Sequence, residues 1–388
     1  MDSFGWTQHD GETFGIQEIK ERGLVITTSF LKDLDHGLEK GGQWSARISV
    51  KPSASSRIKS KSISLFLYAG MDDNSSGFKL APMMIGDKMS GIMGKTNSLG
   101  DFRMNFVTKN GVKREFYSLI ESLGPHKFTE NVMHRLRRFG QGNDAIGLDS
   151  DHMSAQNPNL IVYQVNADLP FEMDIEFENN DQEAPPPFGE LYTAALSQKQ
   201  AYFNKKFEET FGLQEKYGDQ SQKIKFAQAA MSNMIGGIGY FYGHSLVQSV
   251  FQTSPVKYWD GPLFTGVPSR SFFPRGFLWD EGFHNLLISK WNKRLSADII
   301  AHWLDMMNIE GWIPREQILG LEARAKVPDE FVVQKNTNAN PPTLLLTLHS
   351  MVHDFKQKDD QKWFEEYLKR IWPRLEVWYN WFNQTQNG

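Results

Sequence analysis

The sequence predicts a multidomain β + α protein, with an antiparallel β-sandwich over residues 1–188 and a helical domain over residues 189–388. Three observations carry this expectation. Apolar residues alternate with period two through the first half and recur at helical spacing through the second, and a proline-rich break separates the two patterns. With 388 residues the chain also exceeds what one ordinary hydrophobic core organises.

The strands come first. In WSARISV, Trp44, Ala46, Ile48 and Val50 fall on one face, and SISLFLY does the same with Ile63, Leu65 and Leu67. DFRMNFV places Phe102, Met104 and Phe106 together. In FEMDIEFE, Phe171, Met173, Ile175 and Phe177 alternate with Glu172, Asp174, Glu176 and Glu178, the pattern of a half-solvated antiparallel strand. Several such runs separated by polar turns imply a sandwich. This half shows no catalytic signature.

The break is NNDQEAPPPFG, where Pro185, Pro186 and Pro187 exclude a helix or a central strand. Beyond it, SQKQAYFNKKFEETF and QKIKFAQAAMSNM read as amphipathic helices. In RLSADIIAHWLDMMN the apolar positions Leu295, Ile299, Trp303 and Met307 step by four, with Ser296 as the expected N-cap. PPTLLLTLHSMVHDF enters on prolines and continues through Leu344, Leu345, Leu348, Met351, Val352 and Phe355. KWFEEYLKRIWPRLEVWYNWF predicts one further helix or a pair, punctuated by Pro373.

Composition narrows the chemistry. The hydrophobic share is 40% and the charged share 23%, ordinary for a globular chain. A net charge of -4 gives no electrostatic reason for a nucleic-acid partner. The absence of cysteine removes disulfides, thiolate metal sites and cysteine nucleophiles. No apolar run approaches the roughly 20 residues of a membrane span, and the polar start MDSFGWTQHDGETFG lacks the apolar stretch of a signal peptide. Sequons stand at Asn74 and Asn383. Aromatics reach 13% with 11 tryptophans, which serves either several aromatic cores or a sugar site.

The densest functional stretch is residues 267–287, where Arg270, Arg275, Trp279, Asp280, Glu281 and His284 crowd together with Phe272, Phe273 and Phe277. Pro268, Pro274 and Gly276 delay the helix until about Asp280, so Asp280 falls near a helix N-terminus. Two readings follow: an acid serving the helix start, or a carboxylic acid beside Trp and Arg that holds a proton near neutral pH. Two further junction loops share this polar–aromatic character. One carries Trp312, Arg315, Glu316 and Gln317, the other Asn336, Asn338 and Asn340, whose amides suit sugar hydroxyls. Ordinary capping and turn chemistry is the competing reading for both.

Other motifs fail. GGIGYFYG has the glycines of a phosphate loop (Gly236, Gly237, Gly239), but a helical segment precedes it and no Lys-Ser/Thr follows. His349 and His353 form an i, i+4 pair without a third ligand, and neither an HExxH nor a G-x-S-x-G motif occurs.

SRSFFPRGFLWDEGFH closely resembles the processing α-glucosidases of glycoside hydrolase family 63, the mannosyl-oligosaccharide glucosidases. So do GWIPREQILGLEARAKVPDEFVVQ, NANPPTLLL, GGIGYFYG and, near the start, FGWTQHDGETFG. The resemblance implies a β-sandwich followed by an (α/α)6 barrel, of which this chain holds a part. It implies an inverting, cofactor-free and metal-free exo-α-glucosidase that removes the terminal α-1,2-linked glucose from the triglucosylated N-glycan precursor. On that resemblance Asp280 is the general acid, and Arg275, Phe277, Trp279, Glu281, His284, Trp312, Arg315, Glu316 and Asn340 bind substrate. Residence in the endoplasmic reticulum lumen, membrane-anchored in full-length relatives, is implied in the same way.

Inversion requires a second carboxylate roughly 6.5–9.5 Å from the first. The family places it in a late segment similar to FLWEQY, which these 388 residues do not contain, and the ERH-type segment linked to substrate binding is absent as well. The expectation is therefore a fragment or short form that lacks the base. Its open half-barrel would expose apolar helix faces at about 25 cal/mol per Å². Besides the glucosidase, two readings stand: an inactive relative that binds glycans or a partner, and a hydrolase of other α-glucosides.

Overall fold

The computed structural model describes residues 3–33, 42–54, 62–71, 79–97, 99–109, 111–140, 145–149, 157–179, 186–218, 220–354 and 358–386. Asn74, Pro185 and Phe355 lie outside the described residues. The chain forms two compact units, Met1–Lys206 and Phe207–Gly388.

The first unit begins with β1 (Ser3–His9), β2 (Phe14–Glu21), β3 (Leu24–Asp33), β4 (Gln43–Pro52) and β5 (Ser62–Gly70). It continues through β6 (Lys79–Ile85), β7 (Lys88–Thr96), β8 (Gly100–Thr108) and β9 (Val112–Ile120). After α1 (Phe128–Arg135) come β10 (Leu136–Phe139), β11 (Ala145–Leu148), β12 (Leu160–Asp168) and β13 (Phe171–Asn179). The larger sheet runs β1-β2-β3-β4-β13-β8-β7-β6, and a three-stranded sheet runs β5-β12-β9. Both are antiparallel throughout. The β2–β3 hairpin turns on Arg22 and Gly23, at φ 46° and 77°, as a two-residue loop with mirror-image turn geometry demands.

The two sheets share one core. Val50, Phe171 and Met173 of the larger sheet meet Ile161, Tyr163 and Val165 of the smaller, with Trp44, Ile48, Leu65, Leu67, Phe102 and Phe106 packed around them. The apolar faces expected for the four alternating runs thus converge on one interior. The charged face of β13 departs from expectation. Asp174 and Glu176 are buried, where the alternation predicts solvent. The reason is α2 (Gly189–Phe211). Arg47 on β4 pairs with Asp174 through Nε and Nη2 at 2.6 and 2.9 Å, and reaches Gly189 O at 2.8 Å and Thr193 Oγ1 at 2.7 Å. The Tyr192 ring lies 4.7 Å from the guanidinium. An ion pair joined to a helix start replaces water over that face.

α2 runs through the division between the units. The second unit continues with α3 (Leu213–Tyr217), α4 (Ser221–Ile235), β14 (Gly239–Gly243), β15 (Leu246–Gln248), β16 (Val256–Lys257) and β17 (Gly261–Thr265). Then follow β18 (Gly276–Phe277), α5 (Leu278–Trp291), α6 (Lys293–Asp305), β19 (Glu316–Gln317), α7 (Gly320–Arg324) and α8 (Asp329–Val332). β20 (Val333–Lys335), α9 (Leu344–His353) and α10 (Lys358–Thr385) complete it. Within this helical unit α5 packs on α6 and α9.

Two local expectations change. The N-cap of α6 is Asn292, whose side chain accepts from the backbone N–H of Arg294 and Leu295, not Ser296. Ser296 is instead buried one turn inside, donating to Asn285 Oδ1 at 2.8 Å. An Asn one residue beyond the end of α5 serves as stop and start at once, which the apolar spacing alone does not reveal. Pro373 sits inside α10. Phe364, Ile371 and Trp378 recur at sevens on the buried stripe, and that shared contact carries the helix through the proline. Among the described residues, no helix is long and apolar enough to cross a membrane.

Candidate active site

The site is assembled around the start of α5. Pro274 and Gly276 prevent an earlier helix, and Gly276–Phe277 pairs antiparallel with Glu316–Gln317. A further bond from Leu278 N–H to Arg315 O, 2.9 Å, extends this short ladder into the first helical turn. Gly276 lets the chain pass here, since a Cβ would lie 2.8 Å from the Trp303 indole.

The ladder brings Arg275 and Glu316 together across 41 residues of sequence. Both are buried, and Arg275 Nε and Nη2 donate to Glu316 Oε1. Glu316 N–H donates to Gln334 Oε1 at 3.0 Å, which ties β20 to the pair. The guanidinium carbon lies 5.1 Å from the centroid of the Phe277 ring. One donor remains. Arg275 Nη1 is buried and has no hydrogen-bond partner among the described residues.

A second unsatisfied group arrives from the segment before α9. Asn340 is buried, and its Oδ1 has no partner. The following Thr343 locks this segment to α5 by donating from Oγ1 to Trp279 O at 2.6 Å. Thr347 Oγ1 donates to Gly282 O at 2.9 Å. Asn336 Oδ1, in the same loop, is likewise buried and unpartnered. Buried polar atoms without partners are uncommon in folded proteins and mark places where a ligand or water completes the bonding.

Asp280 occupies the first turn of α5 and is half-buried. No side-chain capping bond forms at this helix start, and no hydrogen bond or ion pair to the Asp280 carboxylate occurs among the described residues. Trp279 is 37% exposed, with its indole at 5.9 Å from the Phe283 ring in an edge arrangement. Arg315 is exposed, and its side chain is engaged by no described group.

Glu281 is completely buried, and Trp312 is 2% exposed with its Nε1–H donating to Asn338 O at 3.0 Å. No hydrogen bond or ring contact among the described residues links Asp280 to Trp312 or Arg315. Arg270 turns to Asn233 Oδ1 at 3.0 Å. His349 and His353 stack edge-on at 4.8 Å, and no group of three His, Asp or Glu side chains fit for a metal gathers among the described residues.

Asp280, Trp279 and the orphaned Arg275 and Asn340 atoms together offer a protonatable carboxyl, an apolar ring, a donor and an acceptor. Groups of these kinds can recognise a polyhydroxylated ring, and a carboxyl is a common proton donor. The pairing of Arg275 with Glu316 was not readable from the sequence, because a two-residue ladder leaves no periodic signal.

Residues 188–388 match the glycosyl hydrolase family 63 C-terminal domain, and residues 1–141 the glycosyl hydrolase family 63 N-terminal domain. Over its whole length the chain is 36% identical to mannosyl-oligosaccharide glucosidase GCS1 of Arabidopsis thaliana, of which it covers 47%. It is 35% identical to alpha-glucosidase 2 of the same plant, covering 51% of that protein. The mannosyl-oligosaccharide glucosidase of Saccharomyces cerevisiae is 40% identical across 51% of this chain and 28% of its own length. The chain spans about half the length of the first two relatives.

Proposed function

The chain belongs to glycosyl hydrolase family 63, and from that premise we propose that it carries the proton-donating side of an inverting exo-α-glucosidase site. The substrate is the triglucosylated N-glycan precursor, the bond cleaved is the terminal α-1,2-glucosidic one, and the compartment is the endoplasmic reticulum lumen. The domain boundary lies at 188/189, and α5 to α10 form part of an (α/α)6 barrel. The relatives' names and the packing of α5 on α6 and α9 support this reading.

One observation carries it. The Asp280 carboxyl is half-open to solvent and, among the described residues, free of hydrogen bonds, beside a segment that presents a buried Asn340 Oδ1 with no partner among them. Asp280 is the third residue of α5, past the N-cap Phe277, so it is not the cap of this helix. In the reaction the Asp280 O–H bond breaks toward the glycosidic oxygen, leaving its electron pair on the carboxylate. The C1–O bond breaks as water attacks C1 from the opposite face, and that water's proton goes to a second carboxylate, which the family resemblance places in a FLWEQY-like segment that these 388 residues do not contain. Arg275 Nη1 and Asn340 Oδ1 hold sugar hydroxyls, Glu316 fixes the Arg275 plane, the Trp279 ring faces the pyranose, and Arg315 sits at the open side.

The test is Asp280→Asn, which keeps shape and removes the proton. Release of β-glucose from triglucosylated oligosaccharide, followed by NMR, is expected to fall at least about 100-fold. An equally active variant overturns the acid assignment. Glycan binding by the parent with no hydrolysis supports the non-catalytic reading instead. Comparing α-1,2-, α-1,3- and α,α-1,1-linked diglucosides tests the linkage.

A further inference from the structure

Glu281 and His284 follow Asp280 on α5, and Glu281 faces the interior. Glu281 is 0% exposed, so no hydroxyl reaches it. Its oxygens are already engaged. Oε1 accepts from Gly266 N–H at 3.1 Å and from Asn285 Nδ2 at 2.8 Å, and Oε2 lies 3.0 Å from His284 Nδ1. Asn285 is held in turn, donating to Glu281 O at 2.9 Å and accepting from Ser296 Oγ at 2.8 Å. A connected polar chain thus runs from α6 through α5 to the imidazole. Gly266 closes it from above, because a Cβ there would sit 3.0 Å from Glu281 Oε2 and 3.1 Å from His284 Nδ1.

Helix geometry puts residues i and i+4 on one face, so His284 stands over Asp280. We propose that Glu281 and His284 act as a positioning dyad that keeps an imidazolium beside the Asp280 carboxyl, and that neither binds sugar. This inference rests on Asp280 being the general acid. Burial of His284 disfavours its charged form, but the hydrogen bond and charge of Glu281 and the charge of Asp280 outweigh it and raise the imidazole above its ordinary value. Both charges belong to α5. The loop with Gly266 brings backbone, α9 brings the neutral Thr343 and Thr347 to α5, and no charge from α4, α6 or α9 acts on the ring among the described residues.

The consequence is chemical. When Asp280 gives its proton to the departing oxygen, a carboxylate appears next to a fixed positive charge that stabilises it. Glu281 prevents the imidazolium from losing its proton while Asp280 is still neutral.

Two measurements test this. The first is NMR titration of the His284 imidazole in the 388-residue chain, assigned by comparison with His284→Gln. The expected pKa lies above 6.5 in the parent and falls in Glu281→Gln, which preserves shape. An imidazole already neutral at pH 6.5 in the parent overturns the dyad without needing any variant, as does a value unmoved by Glu281→Gln. The second is the pH profile of glucose release by the active enzyme. His284→Gln is expected to move the alkaline limb of kcat up by about half a pH unit, the scale of one partly solvated charge–charge interaction, with KM little changed. A rise in KM with a fixed limb means that His284 is a sugar ligand and refutes the proposal. If Asp280→Asn is fully active while the titration behaves as expected, the dyad stands and the acid assignment alone fails.

Discussion

Glu176 on β13 shows how a single residue can sit against the preference of its own charge. Its neighbours across the sheet are Ser45 and Asn105, and Asn105 Nδ2 reaches Oε2 at 3.5 Å. Glu176 Oε1 and Ser45 Oγ are both buried without partners. Burial raises the carboxyl above its ordinary value, the Asn105 hydrogen bond opposes this, and the charges of Glu178 and Asp174 add to it. The sign follows. Across the window from 4.5 up to the raised folded value, the folded chain keeps a proton that the unfolded chain has released, so stability falls as pH rises and stays lower above it. Glu176→Gln has no such proton, and its amide has a donor to offer Ser45. The variant is expected to melt above the parent at pH 7, with the gap closing below about pH 4. A variant that melts lower at both pH values contradicts this account. At this scale the sequence reveals residue type and spacing but not what covers a face. Asp280 at a helix start was legible from Pro274 and Gly276, whereas the burial of Glu281, Trp312 and Glu176 depends on partners tens of residues away.

At the scale of elements, the contact of α5 with α9 is the tightest near the site. A Cβ on Gly282 would fall 2.2 Å from Thr343 Oγ1 and 2.3 Å from the Thr343 carbonyl carbon. The second of these is backbone, so no side-chain rotation relieves it. Gly282→Ala gains helix propensity, up to about 1 kcal/mol, but forces the helices apart. A net loss of about 1–3 kcal/mol is expected, on the scale of overpacked cores. Thermal or urea unfolding of the two proteins measures it, and an unchanged midpoint would show that the helices can slide. The existence of α9 was readable from its apolar spacing and the start of α5 from the prolines and glycine before it, and the four alternating strands from their period. Their partners were not. Periodicity says which face is greasy, while register comes from ladders as short as Gly276–Phe277 with Glu316–Gln317.

For the molecule as a whole, the helical unit leaves large apolar side chains open, including Phe283 on α5, Leu346 and Val352 on α9, and Trp372 and Tyr379 on α10. Exposed apolar side chains bind hydrophobic probes and partners. The native chain is expected to enhance the fluorescence of an anilinonaphthalene dye, and a Leu346→Lys, Trp372→Lys double variant to reduce that signal without lowering the melting temperature. Dye fluorescence at the level of buffer would mean that these faces are covered. The course of α2 has a practical corollary for anyone dissecting the protein. The division between the compact units falls between Lys206 and Phe207, in mid-helix, and both Phe203 and Phe207 are buried. An expression boundary drawn at that seam would split one helical turn and leave a greasy stub on each product. A cut beyond Phe211 spares the helix and leaves its first turns on the sheet they cover, so gene dissection is better guided by backbone continuity than by compactness.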